Sequence, residues 1–391
     1  MLRFALRHMA TKRGKLALIA LSIVLSASVA LLALNVSNQV RGGIVRTAGY
    51  YDLIVGPPGS ATQLAMNTMF FTDSPLGTIP YEVVERLEQD PRVAEAVPFA
   101  MGDSFNGARI IGATAKLLDG KPLRAGEMFG ATFEAVLGAQ VASRYGLKIG
   151  DEIVTSHGLA EHGAEHAASP LRVVGILKTT HTAYDNAVFT GVETVWAVHG
   201  HEGEEERGEE EEHGHGEREV CAVLVRTRGF NDYFRLMEDC ASDASLIAIN
   251  PATVLREVLE NVDLSARIVY ILSAIILVMN IFVVAVVTML GLYDARREIA
   301  LMRLIGVRMR TIARLFLLEN FLVGALAAIL SLVGSRLCIQ VLSGFASSMG
   351  IVLNAGAVYP AEWGILFGVL ALGVLPTAAL SQRMARRDGL E

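Results

Sequence analysis

Cysteine is scarce: Cys221, Cys240 and Cys338 are the whole complement of a 391-residue chain. No two of them are spaced as C-x-x-C, so neither a disulfide scaffold nor a zinc ribbon is written into the sequence. Charge is also sparse, at 19% of residues, and aromatic residues make up 7%. An average soluble globule carries about 25% charged residues, and the mean hydropathy of +0.43 is high. A phosphate-binding loop is missing as well. That motif requires G-x-x-x-x-G-K-[ST], and the Gly-Lys pairs, Gly14-Lys15 and Gly120-Lys121, are followed by Leu16 and Pro122. The absence of H-E-x-x-H excludes a zincin-type hydrolase, and no nucleophile and base constellation marks an independent enzyme.

What the chain does contain is long runs free of Asp, Glu, Lys and Arg: Leu16 to Val40, Ile268 to Tyr293, Asn320 to Ser335 and Trp363 to Gln382. A bilayer core takes about 20 apolar helical residues, so four spans are expected. Basic residues cluster before the first run (Arg3, Arg7, Lys12, Arg13, Lys15), between the second and third (Arg296 to Arg314) and after the fourth (Arg383, Arg386, Arg387). None occurs between Arg336 and Arg383. The positive-inside rule then puts both termini in the cytoplasm and residues 41–263 on the other side. A signal peptide is the competing reading of the first run, with Ser28 and Ala30 as its small-x-small pair. The run is longer than the roughly 7–15-residue core of such peptides.

The outer segment reads as mixed α/β. Helices are expected over Tyr81 to Gln89, Phe133 to Tyr145 and Asn231 to Cys240. Strands are expected over Val173 to Leu177, Ala187 to Thr190 and Val220 to Arg226. A stalk helix, Pro251 to Leu264, leads into the second span. Two stretches, 157–170 and 198–219, are rich in Gly, His and Glu and read as solvated insertions. The second sets the formal net charge of −6: His199 to Glu219 holds ten Glu against Arg207 and Arg218, which leaves +2 on everything else. No basic domain remains, so nucleic acid is not an expected partner.

Eight of the nine histidines fall between His157 and His215. Neutral imidazoles beside carboxylates suit Zn²⁺, Ni²⁺ or Cu²⁺. One reading makes His157, His162, His166, His199, His201, His213 and His215 a weak multi-ion site, with zinc as the first expectation. The other is a polar loop with no metal role. Cys221 and Cys240 either form a disulfide, which an outer location permits, or remain two buried thiols. Cys338, near a span end, reads as packing.

Between the second and third spans the sequence runs Tyr293-Asp-Ala-Arg-Arg-Glu-Ile-Ala-Leu-Met-Arg-Leu-Ile-Gly306-Val-Arg-Met-Arg-Thr-Ile312, then Phe316-Leu-Leu-Glu-Asn-Phe-Leu-Val-Gly324. This resembles the R-R-E-I-x-x-x-R-x-x-G signature of the MacB/FtsX-type permeases of ABC transporters. Phe4 to His8 and Arg13 to Lys15 are similar to the family's N-terminal approach to span one. Asp52-Leu-Ile-Val-Gly-Pro-Pro-Gly-Ser60 with Gln63-Leu64 resembles the opening of one subgroup's periplasmic domain. Leu137-Gly138, Leu147 to Asp151 and Val173 to Leu177 are similar to the succession in the MacB-type periplasmic core.

The resemblance implies an α-helical membrane protein with four transmembrane helices plus a mixed α/β periplasmic domain between spans 1 and 2. Residues 1–40 would hold the cytoplasmic approach and span one, 41–263 the periplasmic domain, and 264–391 the FtsX-like domain with a coupling helix at about 295–306. It further implies a bacterial inner-membrane location, a second permease copy, and a separate cytoplasmic ATPase dimer that binds ATP and Mg²⁺. Membrane lipids and a periplasmic protein are further expected partners. Docking to the ATPase would involve Arg297, Glu298, Ile299, Met302, Arg303, Leu304, Ile305 and Gly306, with Ile299, Met302, Leu304 and Ile305 as an apolar ridge. An interfacial helix on anionic lipid is the alternative for that segment.

Glu319, an acid within a span, suggests either an ion site or a structural and coupling role with its side chain reaching the inner interface near Arg314. Gly324 and Gly334 are expected to allow close helix approach in a dimer.

Overall fold

The computed structural model describes residues 13–47, 51–72, 74–157, 169–205, 218–294, 296–348 and 352–371, with isolated residues at 5, 7, 9, 10 and 374. The described chain divides into two compact units, one of residues 1–38, 262–342 and 354–391, the other of residues 39–261 and 343–353.

The second unit is built on a mixed sheet of eleven strands among the described residues. Its spine runs in the order Ile247–Ile249, Leu53–Gly56, Ala222–Thr227, Val93–Phe105, Ala108–Ala113, Ala187–Gly191, Glu134–Leu137, Leu171–Leu177 and Leu123–Gly126. Most neighbours are antiparallel, but Ala187–Gly191 lies parallel to Ala108–Ala113, and Glu134–Leu137 parallel to Leu171–Leu177. Strands fully buried along their length, such as Leu53–Gly56 and Ala108–Ala113, need cover on both faces.

Two apolar clusters supply that cover. One gathers Leu53, Val84, Leu87, Val223, Leu236 and Cys240 beneath the helices Glu82–Gln89 and Phe230–Ala241. The other gathers Leu137, Val141, Ile153, Leu171 and Val188 beneath Ala139–Tyr145. Arg92 ties the first helix pair to the sheet, with Nη2 on Asp90 and Nη1 on Asp239, both at 2.7 Å.

Three expectations for this unit are corrected. Phe133 to Tyr145 is a strand, Glu134–Leu137, followed by a short helix, Ala139–Tyr145. The break is at Gly138, where a Cβ would lie 2.3 Å from the Tyr184 carbonyl oxygen; such a close backbone approach admits only glycine. Second, the 198–219 insertion begins later than its composition suggests. The helix Val192–Glu205 carries Val192 and Val198 into the core. Third, the Cys221–Cys240 disulfide is not formed: both are free, buried thiols. Cys221 Sγ lies 3.4 Å from the Met101 amide, and Cys240 packs with Leu236 and Leu246.

The first unit is helical. Arg13–Thr47, Pro251–Asp294, Arg296–Leu304 and Met309–Ser348 are its principal helices, and the first, second and last of these extend past the unit boundary. The expected stalk and second span are therefore one uninterrupted helix, Pro251–Asp294. Two segments, Leu16–Ile44 and Thr311–Ala346, are long and apolar enough to cross a membrane; Arg267–Ile276 and Pro360–Ala371 are shorter apolar helices among the described residues.

The two long segments cross at small residues. Ala27 packs with Ala327 and Ala328, the Ser28 hydroxyl donates to the Ser331 carbonyl at 3.2 Å, and the Ser331 hydroxyl lies 3.4 Å from the Val24 carbonyl. Gly334 faces Ser28 of its own chain: a Cβ there would lie 3.0 Å from Ser28 Oγ.

Candidate functional site

The Arg296–Leu304 helix ends in a closed turn. Gly306 adopts φ of +83°, its amide donates to the Arg303 carbonyl at 2.9 Å, and the Val307 amide donates to the Met302 carbonyl at 3.0 Å. This pair of bonds is a Schellman cap, which satisfies carbonyls that the helix end would leave open. The apolar contact that accompanies such caps is present: Met302 and Val307 pack with Phe316 against buried Ile312. Arg303, in the last turn, complements the negative end of the helix dipole.

This turn divides the expected ridge. Met302 faces inward as part of the cap. Leu301, Leu304 and Ile305, spaced i, i+3, i+4, remain 63%, 82% and 79% exposed. Leu301 was absent from the expected docking set, although its spacing from Leu304 is the signal that identifies it. Arg297, Glu298 and Ile299 lie in the helix, and their side chains fall outside the described residues.

A family model described as MacB-like periplasmic core domain matches residues 16–234, more than half of the chain. A second, described as FtsX-like permease C-terminal, matches residues 270–388 and so contains the capped helix. The chain belongs to the MacB/FtsX-type ABC permease family.

Among solved structures, the permease is similar to the extracellular domain of the noncanonical ABC-type transporter YknZ from Gram-positive bacteria. That match has 14% identity and a TM-score of 0.32, over 51% of this chain and 99% of the other. It is also similar to the periplasmic region of MacB from Actinobacillus actinomycetemcomitans, at 10% identity and a TM-score of 0.35, over 56% of this chain and 96% of the other. No curated protein matches it.

Glu319 of the permease is 6% exposed. It lies on the same stripe of its helix as buried Leu315 and Val323, so it is packed inward against the protein. A second buried acid escaped the sequence reading. Glu362, 2% exposed, receives the Asn35 amide on Oε1 at 2.7 Å, the Tyr359 amide on Oε1 at 3.0 Å, and Arg336 Nη2 on Oε2 at 2.6 Å. The signal was available: Arg336 and Glu362 each border a charge-free run, and a buried charge needs a partner.

Three of the seven histidines have a described backbone position. His157 closes the strand Ser156–His157, paired with Val93–Phe105 so that it stands opposite Asp103. His199 and His201 fall in the last turns of Val192–Glu205, and their side chains, like that of His157, fall outside the described residues. His162, His166, His213 and His215 lie wholly outside them. Among the described residues no group of three His, Cys, Asp or Glu side chains could hold a metal ion.

Proposed function

We propose that the permease is the membrane subunit of an ABC system in a bacterial inner membrane, coupling ATP hydrolysis by a separate cytoplasmic ATPase to conformational change in its periplasmic unit, for export or extraction of a substrate. The observation that carries this reading is the exposed stripe of Leu301, Leu304 and Ile305 on a helix whose end is locked by Met302, Gly306 and Val307. Burying each such side chain against a partner stabilises a complex by about 1.5–3 kcal/mol, and the cap fixes the stripe's direction without the partner. Four spans complete the proposal, with the short apolar helices Arg267–Ile276 and Pro360–Ala371 as parts of the second and fourth. From Arg314 to Arg336 is roughly 33 Å of helix at 1.5 Å per residue, close to a hydrocarbon core of about 30 Å. Two permease copies would match two motor subunits, and Glu319 would hold the third span's packing during coupling.

A second reading rests on the clustered histidines: a metal-responsive regulator of a periplasmic protein, with Zn²⁺ as the ion, acting by mechanical transmission and not by transport. The two readings differ in what stimulates the motor, substrate in one and metal or protein in the other. The test of the shared core is co-purification with the ATPase. Leu304→Asp with Ile305→Asp should abolish recovery of the ATPase from mild detergent while the permease itself is recovered in full. Undiminished recovery would sink the docking assignment.

A further inference from the structure

Beside the Arg336–Glu362 pair lies a cavity of about 370 Å³, within the ~300–1,000 Å³ range of ligand sites. Its walls are one face of Met309–Ser348, including Leu332, Val333 and Leu337, and one face of the following segment, including Val358, Trp363 and Leu366. Arg336 and Glu362 are among its polar lining residues. The guanidinium is used on one side only: Nη2 is bonded to Glu362, whereas among the described residues Nη1 is buried without a hydrogen-bond partner. A buried donor left unpaired carries its full desolvation penalty, so an acceptor reached by turning the guanidinium toward the cavity removes that penalty.

The chemistry of that acceptor is constrained. Glu362 already neutralises Arg336, and a free anion would meet the carboxylate as well as the guanidinium. A neutral carbonyl oxygen meets no such opposition. The remaining walls are apolar and call for a hydrocarbon chain. Val333, Leu337, Val358 and Trp363 are also exposed on the outside of the unit, and tryptophan favours the membrane–water boundary, where the ester groups of a bilayer lie.

We propose that this cavity holds one acyl chain of a bilayer glycerophospholipid, with the ester carbonyl accepting from Arg336 Nη1. Asn35 and the Tyr359 amide act through Glu362, holding the carboxylate so that it fixes the guanidinium. The site is independent of what the permease transports.

Full-length permease in detergent, purified alone, would be incubated with a diester phospholipid and with its dialkyl ether counterpart, and bound lipid counted by native mass spectrometry. Wild type should retain one diester lipid per chain and prefer it about fivefold over the ether, the size of one net hydrogen bond. Arg336→Lys, which can still pair with Glu362, should lose that preference. Leu337→Trp, which fills the cavity, should lose retention of both lipids. Equal retention of ester and ether by wild type would overturn the carbonyl contact. Unchanged retention in Leu337→Trp, or a lipid-free dimer in which the second copy covers the cavity, would overturn the site.

Discussion

The Val307 amide donates to the Met302 carbonyl while the two side chains share the packing around Ile312. One five-residue step thus both ends the Arg296–Leu304 helix and anchors it to the start of the Met309–Ser348 helix. Gly306 makes this geometry accessible, because its φ of +83° is a conformation that L side chains rarely adopt.

Gly306→Ala tests the turn. Among the described residues, chain neighbours aside, no atom lies within 4 Å of a Cβ built there, so the cost is conformational, about 1–2 kcal/mol. The variant should be recovered normally from the membrane but stimulate the partner ATPase less, measured as turnover in reconstituted vesicles. Normal stimulation would show that the cap does not matter for coupling.

Gly334→Leu tests the helix crossing. The Ser28 hydroxyl stands 3.0 Å from the position of a Cβ, and a hydroxyl can rotate aside for a methyl but not for an isobutyl group. Thermal unfolding in detergent should show little change for Gly334→Ala and a drop of several degrees for Gly334→Leu. Equal midpoints for wild type and Gly334→Leu would mean that the close approach of Ser28 is not a source of stability.

The strands Leu171–Leu177 and Ala187–Gly191 were legible because short apolar runs with β-branched residues mark a local pattern. Glu134–Leu137 was not, because Phe133 to Tyr145 carries helix-favouring residues throughout and only the contact of Gly138 with Tyr184 divides it. The segment from Tyr293 to Ile312 was legible as a family motif, whereas the inward turn of Met302 depends on the cap and on Ile312, which lies ten residues later. The pairing of Asn35, Arg336 and Glu362 joins residues more than 300 positions apart, and no periodicity reports that.

Lys121 makes the periplasmic unit sensitive to alkaline pH. Burial pulls its ammonium down to about 8, opposed by Asp119, while Nζ donates to the Leu117 carbonyl at 3.0 Å and sits 4.1 Å from the centre of the Tyr184 ring. An unfolded lysine titrates near 10.4. Between these values the unfolded chain binds the proton and the folded chain does not, so stability rises with pH, by on the order of 3 kcal/mol in total. The thiols Cys221 and Cys240, raised by burial, act in the opposite sense over the same window, so the readout is a difference: from pH 7 to 10.5 the thermal midpoint of wild type should gain on that of Lys121→Met. An identical pH dependence for the two proteins would refute it.

The thiols Cys221 and Cys240 should be inert in the folded protein. Burial raises both above the ordinary thiol range, which keeps them protonated and poorly nucleophilic. Iodoacetamide at pH 7.5 should modify neither until denaturant is added, and mass spectrometry should then find both fully alkylated without prior reduction. A peptide carrying a Cys221–Cys240 crosslink would contradict this.

Removal of residues 206–217 tests the metal reading. Deletion from Val198 would excise buried core, since Val198 belongs to the sheet-covering helix; the shorter deletion keeps it. The shortened protein should fold with an unchanged midpoint and take up less Zn²⁺ in calorimetry. Equal uptake by the two proteins would eliminate the insertion as a zinc site.

The Trp196 indole donates to the Glu219 carbonyl at 2.8 Å, its ring stacks edge-on against Tyr81, and the Arg218 guanidinium lies 5.5 Å from its centre. The strand Glu219–Val220 then pairs with Ile79–Pro80. The first half of the Val192–Glu205 helix and the strand that follows the His/Glu segment are therefore fastened to each other. A segment inserted between them would meet a fold that already holds Trp196, Tyr81 and the Glu219–Val220 strand together, which makes this position a natural cassette for a reporter peptide or a different ligand-binding sequence.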